Sequence, residues 1–117
     1  MSTKEIPEQV ADINDRIPEI WEAFTRLGEA CHNHGGPLDE KARRLAKLGI
    51  AIGSRHEGAV HSAVRQALAA GVTREELLHV AVLAVTTIGW PAARAAMTWI
   101  DDVTMQDAGG DPAYDLD

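Results

Sequence analysis

Glu75-Glu76-Leu77-Leu78-His79-Val80-Ala81-Val82-Leu83-Ala84-Val85-Thr86-Thr87-Ile88 is the stretch that decides the fold. At about 100° per residue, Leu77, Val80, Ala81, Ala84 and Ile88 share one face of a helix. Leu78, Val82, Leu83 and Val85 make the remainder nearly apolar as well. A helix that is apolar all round has to be covered on more than one side. In a chain of 117 residues the second cover is expected to be another copy, so the segment predicts both an all-α fold and a homo-oligomer.

Working outward, Thr73-Arg74-Glu75-Glu76 has capping-box form and opens this helix, which is expected to reach Ile88. Gly71 before it is suited to a left-handed cap closing the previous helix, expected over residues 54–70. Ser54-Arg55-His56-Glu57 reads as a further capping box at the start of that helix. Upstream, Asp39 opens a helix that carries Leu45, Leu48, Ile50 and Ile52 and stops at Gly53. His34-Gly35-Gly36-Pro37 is a break, and Pro18 to about Cys31 is amphipathic, with Ile20, Trp21, Phe24, Leu27 and Cys31 at helical spacing. A short helix is expected over residues 7–14. Downstream, Gly89-Trp90-Pro91 turns the chain and starts a last helix that runs to Met105. The expectation is a bundle of about six helices in a single domain, residues 1–106, followed by an acidic tail, 107–117.

Composition supports this reading. Hydrophobic residues make up 45% of the chain but aromatics only 4%, and the balance, mostly Ala, Val, Leu and Ile, favours helix over sheet. The net charge of −7 and the scattered Lys and Arg argue against nucleic acid as a partner. The polar start, Met1 to Glu5, and the lack of any uninterrupted apolar run of spanning length point away from a membrane and toward the cytoplasm. Cys31 is the only cysteine, so there is neither an internal disulfide nor a dithiol.

Several polar groups have chemistry within reach. Cys31-His32-Asn33-His34 gathers a thiol and two imidazoles, but no second pair lies at zinc-finger spacing, and a helix end running into a Gly-rich loop explains it as well. His56-Glu57-Gly58-Ala59-Val60-His61 resembles a zinc-protease HExxH with one residue too many. Its histidines stand five apart, about 140° around the helix, so that reading fails. Glu57/His61 and Glu75/His79 are four apart and can each form a carboxylate–imidazole couple, although Glu57 and Glu76 also fit as plain capping residues. Glu76-x-x-His79 has di-iron bundle spacing but lacks the second motif and the further carboxylates. His56 falls on the expected inward face beside Ala59, Val60, Ala63 and Ala67.

Leu38-Asp39-Glu40-Lys41, the run from Leu45 to Gly53, Ala67-Leu68-Ala69-Ala70-Gly71-Val72-Thr73-Arg74-Glu75-Glu76-Leu77 and Ile88-Gly89-Trp90-Pro91-Ala92-Ala93 together resemble the carboxymuconolactone decarboxylase family, which includes the AhpD-like alkylhydroperoxidases. The likeness covers a little over half of the chain, and its most specific segment is A-x-x-x-G-V-T-R-E-E. It implies an all-helical fold assembled as trimers or hexamers, with the site between helices near a subunit interface. The peroxidase branch carries E-x11-C-x2-C-x3-H. Anchored on Gly71, those four places fall on Arg44, His56, Ala59 and Ala63, so none of the four functional residues is present. The histidine that decarboxylase members keep near Ala63 is missing too.

Three functional expectations follow. In the first, a small carboxylic acid undergoes proton transfer of decarboxylase type, with Glu57, His61 and His56 as catalytic residues and Arg44 and Trp90 binding substrate. His61 moves the proton, Glu57 orients it and Arg44 holds the carboxylate; no cofactor or metal is called for. In the second, the chain is a non-catalytic ligand-binding or structural oligomer. In the third, Glu57, His61 or His79 hold a metal between copies.

Overall fold

Pro37 and Leu38 mark the division between two units, and the computed structural model describes residues 8–105. Six helices and no strands are present among the described residues: α1 (Glu8–Arg16), α2 (Pro18–His34), α3 (Glu40–Gly53), α4 (Glu57–Ala69), α5 (Arg74–Ala84) and α6 (Trp90–Thr104). The expected acidic tail, 107–117, lies outside them.

The first unit is α1 packed on α2. Ile17 is the cap residue between them, and Pro18 occupies the first turn of α2, where its missing N–H costs no helical bond. Trp21 and Phe24 meet with ring centroids 5.7 Å apart. The predicted apolar stripe of α2 is present in sequence but stands exposed at Ile20, Phe24 and Leu27.

In the second unit, α4 packs against α3 and α6, and α5 packs against the same two helices. Leu48, Val60, Val64, Leu77 and Ile100 are its largest fully buried side chains. Between them lie Ala67, Ala81, Ala93 and Ala96, all completely buried, so the core combines a few branched residues with many methyl groups. Helix ends follow local chemistry. Asp39 Oδ1 accepts from the Ala42 N–H at 2.9 Å, and the Thr73/Glu76 capping box is present in both directions. After α4, Gly71 takes φ +90°, its N–H donates to the Leu68 carbonyl, and the Val72 N–H donates to the Ala67 carbonyl. That is a Schellman closure with the buried Val72 folded back over the helix end.

Two expectations are corrected. Ser54 does not open α4; it closes α3, its hydroxyl donating to the Ala51 carbonyl at 2.7 Å. Arg55 then takes a left-handed φ of +60°, which stops any helix from running through it. The cap falls to His56, whose Nδ1 accepts from the Ala59 N–H at 3.0 Å, making Glu57 the first helical residue rather than the third. Likewise α5 ends at Ala84, one turn short of Ile88. Val85, Thr86 and Thr87 are β-branched, the Thr87 hydroxyl bonds the Leu83 and Ala84 carbonyls, and the N–H groups of Thr87, Ile88 and Gly89 all converge on the Ala84 carbonyl.

One face of α5 is buried through Leu77, Ala81 and Ala84, while Val82 and Leu83 on the other remain more than half exposed. Ile50 and Trp90 add to the exposed apolar surface of this unit. Among the described residues no helix is long and apolar enough to cross a membrane.

Candidate functional site

Helix α4 carries two chemically distinct faces. Ala59, Ser62, Ala63 and Gln66 recur at helical spacing and, with Arg44, Lys47, Ile50, Ala51 and Ser54 of α3, line a cavity of about 350 Å³. Small residues on α4 leave the space, and long cationic side chains on α3 border it. Arg44 is the pivot. Its Nε donates to Glu40 Oε1 at 2.8 Å, and its Nη1 crosses to Gln66 Oε1 on α4 at 2.7 Å. Glu40 also accepts from Arg43 Nη2 at 2.9 Å, so its carboxylate is shared between two guanidinium groups. The apolar part of the lining comes from Ile50, Ala51, Ala59 and Ala63, with Ile50 itself largely exposed. Chemically, the cavity suits a small, partly apolar anion.

The opposite face of α4 holds Glu57 and His61, about 180° around the helix from the cavity residues. His61 Nε2 lies 3.0 Å from Asp102 Oδ2 on α6. An ionised carboxylate only accepts, so with Asp102 ionised Nε2 carries the proton and donates it. Glu57 completes the group: one ligand-type atom from each of Glu57, His61 and Asp102 lies within 4.8 Å of the others. His61 is half-buried, and the two carboxylates are exposed. The packing of α4 on α6, through buried Val60, Val64 and Ile100, sets the distance between His61 and Asp102.

The expected site residues therefore fall in different places. Glu57 and His61 lie in one group, but the hydrogen-bond partner of His61 is Asp102 rather than Glu57, and Arg44 faces the cavity and engages Glu40 and Gln66. His56 is exposed rather than inward, because a cap residue lies outside the helical wheel on which the inward position was read. Trp90 is exposed at the start of α6 and does not line the cavity. Glu75 and His79 are exposed on α5 and do not belong to the Glu57–His61–Asp102 group, nor do Cys31, His32 and His34 at the end of α2. Sequence reasoning missed Asp102, which stands 41 residues from its partner. It also missed Lys47, although Lys47 follows Arg44 at a helical spacing of three that would have placed both on one face.

A second carboxylate has a distinct setting. Glu76 is held below the ordinary carboxylate range, first by a hydrogen bond from Lys41 and then by the Thr73 backbone N–H of its own capping box. Because Lys41 lies on α3, that pair ties the start of α5 to the start of α3.

The carboxymuconolactone decarboxylase family model matches residues 18–102, a span that includes the cavity, the Glu57–His61–Asp102 group and every helix from α2 to α5. An uncharacterized protein of Methanocaldococcus jannaschii, MJ0742, is 27% identical over 86 residues, covering 73% of this chain and 82% of that protein. No solved structure matches the chain.

Proposed function

The chain belongs to the carboxymuconolactone decarboxylase family, and from that premise we propose that it takes a small carboxylic acid into the cavity between α3 and α4. The observation that carries the proposal is the identity of the lining. Arg44, Ala59 and Ala63, three of the four places that the family resemblance assigns to the peroxidase motif, border this cavity. At the motif's two cysteine places stand His56 and Ala59, and the lone Cys31 is on α2. The reading is therefore of a family member that does not reduce peroxide through a dithiol. What occupies the same places is volume and positive charge: methyl groups on α4, with Arg44 and Lys47 across from them. Arg44 would hold the carboxylate, Ser62 and Gln66 offer neutral hydrogen bonds, and Ile50 and Ala51 cover the apolar part of the acid.

Proton transfer of decarboxylase type is the second reading, favoured by the 3.0 Å His61–Asp102 pair. There Asp102 takes the orienting role expected of Glu57, and the acid reacts on the α6 side of α4 rather than in the cavity. A homo-oligomer, trimer or hexamer, accompanies both readings; the exposed Val82, Leu83, Ile50 and Trp90 support it, and Trp90 is assigned to that interface. A cytoplasmic location accompanies them too, supported by the acidic composition and single cysteine.

The test is calorimetric titration of the full chain with a panel of small monocarboxylates, each paired with its neutral amide. Binding of acids but not amides is expected. Absence of any acid binding, or equal binding of the amides, would overturn the proposal. His61→Ala separates the two readings, since it leaves acid binding in the cavity intact and abolishes any turnover that depends on the imidazole.

A further inference from the structure

We propose that Glu57, His61 and Asp102 form a binding site for a divalent transition-metal ion, Zn²⁺ being the reference case. The site is distinct from the carboxylate cavity and does not rest on it, because the two occupy opposite faces of α4.

The argument begins with the donor set. One imidazole and two carboxylates make a mixed nitrogen–oxygen set that suits zinc, manganese or iron(II) better than magnesium or calcium, which prefer oxygen alone. Three protein ligands also leave a fourth position for water, as in zinc sites that do chemistry rather than hold structure. Geometry is the second step. Zinc bonds of about 2.0–2.2 Å in a tetrahedron place ligand atoms about 3.4 Å apart. His61 Nε2 and Asp102 Oδ2 are already 3.0 Å apart, and all three donors lie within 4.8 Å. Glu57 is exposed, so its carboxylate is able to close the remaining gap by a rotamer change without moving the backbone. With the ring proton transferred to Nδ1, the Nε2 lone pair faces the ion in place of the hydrogen bond to Asp102.

Preorganisation is the third step. Glu57 and His61 are four residues apart on one helix, so their relative placement is fixed by α4 itself. Asp102 comes from α6, and it is held in register by Ile100, fully buried two residues earlier. The neighbouring Asp101 is committed elsewhere, accepting from Arg74 Nη2 at 2.6 Å. The site therefore draws a single carboxylate from α6. Opposing these terms, Glu57 sits at the first position of α4, where the helix dipole favours an anion over a cation. Two ionised carboxylates around one site outweigh that partial charge.

The experiment is titration of the chelator-stripped full chain with Zn²⁺, followed by calorimetry, for the wild type and for Glu57→Gln, His61→Ala and Asp102→Asn. The expected result is one ion per chain. Each substitution should weaken binding by roughly tenfold or more, since losing a ligand costs at least what losing its outer-shell partner does. His79→Ala should bind as the wild type does, and Mg²⁺ should bind more weakly than Zn²⁺. Asp102→Asn preserves size and shape, and thermal melts confirm that each variant is folded. No Zn²⁺ binding by the wild type overturns the proposal; so does wild-type affinity in the folded His61→Ala and Asp102→Asn variants.

Discussion

Replacing Arg44 with Met is the perturbation that most directly probes the cavity, because the structure separates its effect on folding from its effect on binding. The Arg44 side chain is 19% exposed, so its aliphatic stem packs, and a methionine retains most of that contact. Its two hydrogen bonds are lost, but neither partner is stranded. Glu40, 43% exposed, keeps its bond from Arg43, and Gln66 is exposed to water. An ion pair this accessible contributes at most about 1 kcal/mol, so the melting temperature should fall by only a few degrees, roughly. Binding should respond much more. A hydrogen bond to a charged group is worth about 1.5–3 kcal/mol, which corresponds to a loss of roughly 10- to 150-fold in affinity for a carboxylate. Benzoate is a suitable probe, with an apolar ring for Ile50 and Ala51, and benzamide is its neutral control. Calorimetry on both proteins gives the comparison. If benzoate binds Arg44→Met within about threefold of the wild type, the guanidinium is not the carboxylate partner and the reasoning fails. It fails equally if benzamide loses as much as benzoate.

Two further outcomes follow from the same physics. Because Glu76 is held below its ordinary value of 4.5 by Lys41 and by the Thr73 N–H, it stabilises the fold above that pH and ceases to as the pH falls through its lowered folded value. The melting-temperature gap between wild type and Glu76→Gln should therefore be widest near neutrality and close as the pH falls below that lowered value, and a gap that stays constant would show that the ionised form is not the stabilising one. Leu77→Ala should cost about 3–5 kcal/mol, at the upper end for such changes, because Leu77 is fully buried and its core cluster is rich in alanines, which have no rotamers with which to fill a void. Urea unfolding should show the midpoint drop with an unchanged slope. A loss below about 2 kcal/mol would mean that the helices close over the gap.

Features set by neighbouring residues were legible in the sequence, and features set by helix register against another helix were not. The Asp39 cap, the Thr73/Glu76 box and the left-handed Gly71 are each written within six residues, and each is present. The start of α4 was misread because Ser54 and His56 both have cap chemistry. The choice between them depends on the left-handed Arg55, whose conformation no residue-type preference announces. The end of α5 was misread for a related reason: apolar periodicity continues to Ile88, but the hydroxyl of Thr87 and three N–H groups compete for one carbonyl at Ala84. Asp102 was beyond local reasoning altogether. Asp101 and Asp102 are indistinguishable as letters, yet a rotation of about 100° between them sends one to Arg74 and the other to His61. The pairing is decided by how α6 is rotated against α4 and α5.

That same rotational logic explains how one short helix presents two polar faces. Along α4, Val60, Val64 and Ala67 are buried. Ala59, Ser62, Ala63 and Gln66 turn to the cavity on one side of that buried stripe, and Glu57 and His61 turn to α6 on the other. With the core stripe between them, the Arg44 cavity and the His61–Asp102 pair lie on different sides of α4, which is why the two proposed ligands are assigned to them separately. The cavity itself depends on the methyl groups at Ala59 and Ala63. A longer side chain at either place would take up part of the cavity that these residues line. By the family resemblance, the chain departs from the peroxidase pattern at all four places, Arg44, His56, Ala59 and Ala63, and not at the cysteine places alone. Three of those places, Arg44, Ala59 and Ala63, line the cavity, so small residues on α4 stand beside a cation on α3, and the proposed charge recognition rests on that arrangement.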